Sequence, residues 1–296
     1  MRKYFWVFVI FITLAATVTV GVFFMSGVLR SVRILQLSGN PAVLPDALNA
    51  LPASSTAPVS VAVPPEKPKN QDAEPSVPLS NPPAIVKAVY ATSWSAGSKA
   101  KSDYLINLIN ETELNAVVID IKDYSGYLAY RTDLELPKRY EAVELRIPKL
   151  NVLLGRLHGE GIYAIARISV FQDGRLASAR PDLAITSSST GAVWTDRKGL
   201  AWVDPASHEV WEYNAAVARE AFNRGFDEVN FDYIRFPSDG DMRNLSYPAW
   251  DGQARASVLG AFWTYLRSEF PGKQISADLF GLTTVDFGDL GIGQRF

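Results

Sequence analysis

The distribution of apolar residues divides the chain into three textures. From Tyr4 to Leu29 the side chains are apolar or small, with no charge among them. From Ser38 to Pro83 the chain is crowded with Pro, Ala, Ser and Val, as in Pro64-Pro65-Glu66-Lys67-Pro68. From Ile85 onward apolar runs alternate with amphipathic stretches. Val86 to Trp94 reads as a strand, and Lys99 to Asn110 as a helix with Tyr104, Leu105, Leu108 and Ile109 on its apolar side. Asn115 to Lys122 reads as a second strand. A helix then starts at Pro148 and is ended by Gly161, and Tyr163 to Phe171 forms the third strand. The helix from Ser207 to Asn223 stops at Gly225, and Glu228 to Phe236 makes the fourth strand. The last pair is the helix Ala254 to Glu269 and the strand Gln274 to Phe280.

Alternating strands and helices predict a parallel sheet with right-handed crossovers. No glycine-rich phosphate loop opens any helix, so a dinucleotide fold is not favoured. Loops after the strands are long and those before them short, as in a (β/α)₈ TIM barrel. Five strands leave an open sheet or an incomplete barrel. The incomplete barrel is the expectation, because an open edge leaves backbone groups unpaired. The predicted organisation is a membrane segment over 1–37, a disordered linker over 38–84 and an α/β domain over 85–296.

Composition narrows the chemistry. There are 29 Lys and Arg against 31 Asp and Glu, so no basic field exists for nucleic acid. The absence of cysteine excludes disulfides, thiolate metal sites and cysteine nucleophiles. With only His158 and His208, a multi-histidine metal site is not expected, nor is any organic cofactor. The apolar run over 4–29 is long enough, at roughly 35–40 Å, to cross a ~30 Å hydrocarbon core. An uncleaved signal anchor is expected. It places the protein in the cell membrane as a single-pass chain with its C-terminal domain outside the cytoplasm.

Four strands each carry a charged side chain near the carboxyl end: Asp120, Arg167, Asp232 and Asp278. Strand alternation sets Asn230 and Asp232 on one face, with Phe231 and Tyr233 against the helices. The same rule puts Lys122 beside Asp120 and Asp278 beside Ser276. A buried carboxylate is costly unless paired. Converging carboxylates with Lys122 and Arg167 therefore make either an acid/base pair or a charge network that only fixes packing.

The segment WVDPASHEVWEYNAAVAREAFNRGFDEVNFDYIRFPSDG, from Trp202 to Gly240, resembles a bacterial family of glycosyl-hydrolase-like domains. The stretches VVIDIKDYSGYLAY, AIARISVFQD and ISADLFG strengthen the likeness, which extends from Lys87 to Phe296. The resemblance implies a TIM barrel of the α-amylase-like superfamily, with Asp232 and Asp278 as the catalytic carboxylates. Asp120, Lys122, Arg167, Trp94, Trp202 and Tyr233 then become candidates for substrate binding. The expected activity is cleavage of an extracellular or cell-envelope polysaccharide. A glycan-binding module and an envelope scaffold are the alternatives.

Overall fold

The structure is a computed structural model that describes residues 72–285 and 288–295. The apolar segment 4–29 and most of the proline-rich stretch lie outside the described residues.

Strands β1 (Ala88–Ala91), β2 (Ala116–Lys122), β3 (Tyr163–Ser169), β5 (Glu228–Asp232) and β7 (Gln274–Ala277) form one sheet. It runs in the order β1-β2-β3-β5-β7, and every pairing is parallel. Between β3 and β5 the loops contribute β4 (Thr186–Ser187), which pairs with β6 (Leu245–Ser246). The helices are α1 (Ser93–Gly97), α2 (Lys99–Asn110), α3 (Glu135–Arg139), α4 (Leu150–Gly159), α5 (Gly174–Ala179), α6 (His208–Arg224) and α7 (Arg255–Glu269).

This corrects the expected (β/α)₈ barrel. A barrel closes when its last strand hydrogen-bonds its first. Among the described residues β1 pairs with β2 and β7 with β5, and the two ends of the sheet do not meet. Among the described residues the fold is an open five-stranded parallel α/β sheet. The predicted membrane segment lies outside the described residues. No helix of the described residues is long and apolar enough to cross a membrane.

Helix packing explains the element limits. On α2 the buried stripe is Ser102, Ile106 and Ile109, while Tyr104 is 64% exposed, contrary to the predicted face. The i, i+4, i+7 spacing of that stripe is the helical repeat that faces a sheet. α6 buries Val210, Ala218, Ala221 and Phe222, and Gly225 caps it in the left-handed region. Phe231 is sealed against Phe262 and Trp263 of α7. β1 is shorter than predicted because the Thr92 hydroxyl accepts the Ser95 N–H and starts α1, which turns Trp94 into a helical residue.

The expected solvated spacer reached Pro83, yet its last part is docked. The Asp72 carboxylate accepts the N–H groups of Asn151 and Val152 at the start of α4. Ser76 donates its N–H to the Arg224 carbonyl, and its hydroxyl meets His158. The Leu79 N–H goes to Asp227, and Leu79 packs on Ala116, Tyr163 and Ile165. Gly225 permits this approach: its φ is 105°, and a Cβ there would stand 2.4 Å from the Ser76 carbonyl oxygen. Gly225→Ala is expected to cost about 1–3 kcal/mol through backbone strain. Urea unfolding of the full chain measures it, and an unchanged midpoint would refute the role of this contact.

Candidate active site

The sheet lines up its polar residues by register. Asp120 pairs with Arg167, Arg167 with Asn230, and Asn230 with Ser276, so these four share one face across β2, β3, β5 and β7. One step further toward the carboxyl ends stand Asp232, the last residue of β5, and Asp278, just beyond β7. Because neighbouring parallel strands carry in-register side chains to the same side, separate segments deliver their charges to one place.

Arg167 is the hub. Its Nη1 donates to Asp120 at 2.5 Å, its Nη2 donates to Asp232, and its Nε lies 3.5 Å from Asp278. The Tyr90 hydroxyl donates to the other oxygen of Asp120. Asn230 donates to Asp278 and to Ser276, both at 3.2 Å. Burial opposes the charge on Arg167, but Asp120 and Asp232 outweigh it and raise its pKa above the usual value. Burial and then the bond to Asp120 push the Tyr90 hydroxyl up, which keeps it a proton donor at neutral pH. Immediately after Asp232 the backbone of Tyr233 turns to φ 53°, and its N–H donates back to Asp232 at 2.6 Å. A left-handed conformation in a non-glycine residue costs of order 1 kcal/mol or more. Here it orients a carboxylate.

The three carboxylates differ in exposure. Asp120 is buried and Asp232 largely so, whereas the Asp278 side chain is 51% exposed at the rim. An incoming substrate therefore meets Asp278 and the half-exposed Tyr90 first.

Several predicted site residues lie elsewhere. Lys122 was placed beside Asp120 by alternation. A bulge intervenes, since Asp120 pairs with Arg167 but Lys122 with Ile168. One extra β2 residue reverses the facing. Lys122 is sealed with Asp173 at 2.7 Å, both 0% exposed, and bonds the Ser169 carbonyl and Asn214 of α6. Trp202 is likewise fully buried and donates its indole N–H to Asp196, so it offers no face to a sugar. Tyr233 does not pack on the helices; its turned backbone sets its ring edge-on to Trp202, half-buried beside Asp232. Trp94 is exposed on α1, with the Arg146 guanidinium 5.2 Å from its ring centre. Arg146 in turn binds Asp123 at 2.6 Å. Sequence reasoning missed Tyr90. Tyr90 reaches the site through the register of β1 on β2, which sets it opposite Val118, two residues before Asp120 on the same face, and only the structure shows that register. Among the described residues no group of three or more His, Cys, Asp or Glu side chains is arranged to hold a metal ion. The centre of the three carboxylates is occupied by the guanidinium.

Carboxylates gathered at the carboxyl ends of adjacent parallel strands define a glycosidase-like α/β domain. Residues 88–296 match the model of the family described as "Putative glycosyl hydrolase domain", and the chain belongs to that family. A solved structure of a hypothetical protein from Ruminiclostridium thermocellum is 35% identical, with a TM-score of 0.61, over 65% of this chain and 98% of that one. More distant likenesses include an α-galactosidase from Thermus thermophilus at 18% identity and TM-score 0.42, covering 69% of this chain and 39% of the enzyme. Another is an α-L-fucosidase from Paenibacillus thiaminolyticus at 13% and 0.47, covering 65% and 32%. This chain spans well under half of those two enzymes, and their substrates are not carried over to it. No curated protein sequence matches the chain.

Proposed function

We propose that the chain is a glycoside hydrolase acting on an extracellular or cell-envelope polysaccharide. One observation carries the reading: Asp232 and Asp278, from adjacent strands, meet at a single guanidinium at the open end of the sheet. Asp232 is the better nucleophile, or base toward water, because Arg167 and the Tyr233 N–H fix both of its oxygens in direction. Asp278 is the better proton donor, because it is exposed and loosely held where a leaving group would depart. Asp120, Arg167 and Tyr90 orient the pair. No step in this scheme calls on a metal or an organic cofactor. The export reading rests on the uncharged run over 4–29 and the proline-rich stretch after it.

The test is to assay the full chain against a panel of aryl glycosides and polysaccharides, including amino-sugar polymers. Asp278→Asn is expected to slow unactivated substrates by about 10²-fold or more. Aryl glycosides with good leaving groups should be slowed far less, since their departure needs no proton. Equal losses on both classes would remove Asp278 from the donor role. The rival reading is a binding or scaffold module. It is favoured by Arg167, which already engages the inner carboxylates, and glycan affinity without any product would establish it.

A further inference from the structure

Arg235 belongs to the Asn-Phe-Asp-Tyr-Ile-Arg-Phe-Pro stretch, three residues after Asp232, and hydrolysis as described gives it no task. Its guanidinium carbon lies 5.0 Å from the ring centre of Trp202, 5.4 Å from that of Tyr233 and 5.6 Å from that of Phe280. Only Nη1 is engaged, donating to the Phe236 carbonyl at 3.2 Å and the Ser238 hydroxyl at 3.0 Å. Nε and Nη2 have no hydrogen-bond partner among the described residues, and neither is sealed from solvent. Among the described residues no carboxylate forms a salt bridge with Arg235. Asp196, in its vicinity, already accepts from the backbone of Lys198 and Leu200 and from the side chains of Gln172 and Trp202. Burial lowers the Arg235 pKa below the usual value.

Asp239, Asp232 and Asp196 act on this partly buried cation from a distance, but among the described residues none pairs with it directly, and three aromatic faces offset only part of the cost of its burial. What remains open is the Nε/Nη2 edge, whose two parallel N–H groups match the oxygens of a carboxylate or sulfate. The edge adjoins the carboxylate cluster. The Tyr233 ring that flanks Arg235 belongs to the residue whose N–H binds Asp232, and Phe280 stands two residues beyond Asp278. Asp120, Asp232 and Asp278 repel an anionic group at the reacting position itself, so a negatively charged sugar needs its own cation beside that position. The geometry points to an anion subsite at Arg235 that takes the carboxylate or sulfate substituent of an acidic glycan, with Tyr233 and Phe280 flanking the sugar. That the ligand is a glycan rests on the hydrolytic reading; that it is anionic rests on Arg235.

The test is calorimetric binding to the full chain. The probes are tetragalacturonate and its methyl ester, and a sulfated galactan tetrasaccharide and its desulfated form. At least one acidic probe is expected to bind about tenfold or more tighter than its neutral counterpart, which identifies the anion. Arg235→Met should abolish that difference. Arg235→Lys, which keeps a cation between the rings but lacks the two-donor edge, should reduce it several-fold. Indifference to charge in the unsubstituted protein overturns the subsite, as does full discrimination in a folded Arg235→Met or Arg235→Lys variant. Because no turnover is read, loss of the hydrolytic reading through a failure of the unsubstituted protein to form product would leave this result standing, and the converse also holds.

Discussion

Asp232→Asn is expected to lower kcat by about 10²–10⁴-fold, the range a positioned acid, base or nucleophile supplies. The substitution is nearly isosteric. The amide oxygen can still accept from Arg167 or from the Tyr233 N–H, so the turn at φ 53° survives and binding changes little. A fall in kcat with a steady KM is therefore the signature, since it marks an interaction made only in the transition state. Product formation by the variant at the full rate would remove Asp232 from the chemistry and require another residue as nucleophile or base. Arg167 makes this the most informative substitution, because one guanidinium holds Asp120, Asp232 and Asp278 together. A change at any of them shifts the electrostatics of the others, so single substitutions will not add.

The largest loss of stability is expected from Lys122→Met. Asp173 would then be a sealed carboxylate without its cation, 0% exposed and 2.7 Å from the missing ammonium. Breaking one side of such a pair costs about 3–5 kcal/mol. For a domain of this size that corresponds to a fall in Tm of roughly 10 °C. Adding Asp173→Asn removes the stranded charge. The asparagine can still accept the Leu176 N–H that starts α5, so the double variant should regain part of the loss. Circular-dichroism melting of the full chain checks both proteins. A Lys122→Met protein as stable as the parent would show that the pair contributes nothing. Below its melting range the same variant should keep its catalytic constants, because Lys122 faces α6 rather than the carboxylates.

Much of the domain could be read directly from residue order. The periodicity of α2, the glycine after α6 and the apolar runs of β2 and β3 placed each element close to its observed limits. Asp120, Arg167, Asp232 and Asp278 were legible as a group because each interrupts or ends an apolar strand. A charge in that setting must have a partner. Errors arose where a local rule met a non-local contact. Alternation assigned Lys122 to the site, but the bulge at the end of β2 reversed it. Aromatic character nominated Trp202, whereas packing buried it completely beneath Tyr233 and Arg235. Proline content described residues up to 83 as free, although Asp72, Ser76 and Leu79 bind groups more than 70 residues away. Composition is blind to such partners.

By itself the sequence determined the order of the five sheet strands and the four long helices, the parallel sheet and the four charged strand ends, because side-chain periodicity and helix stops are local properties of the chain. Only the tertiary structure decided that the sheet is open, that Arg167 gathers three carboxylates and that Arg235 is left with a free two-donor edge. Register, bulges and strand closure depend on which distant backbone groups meet, and no stretch of sequence carries that information alone.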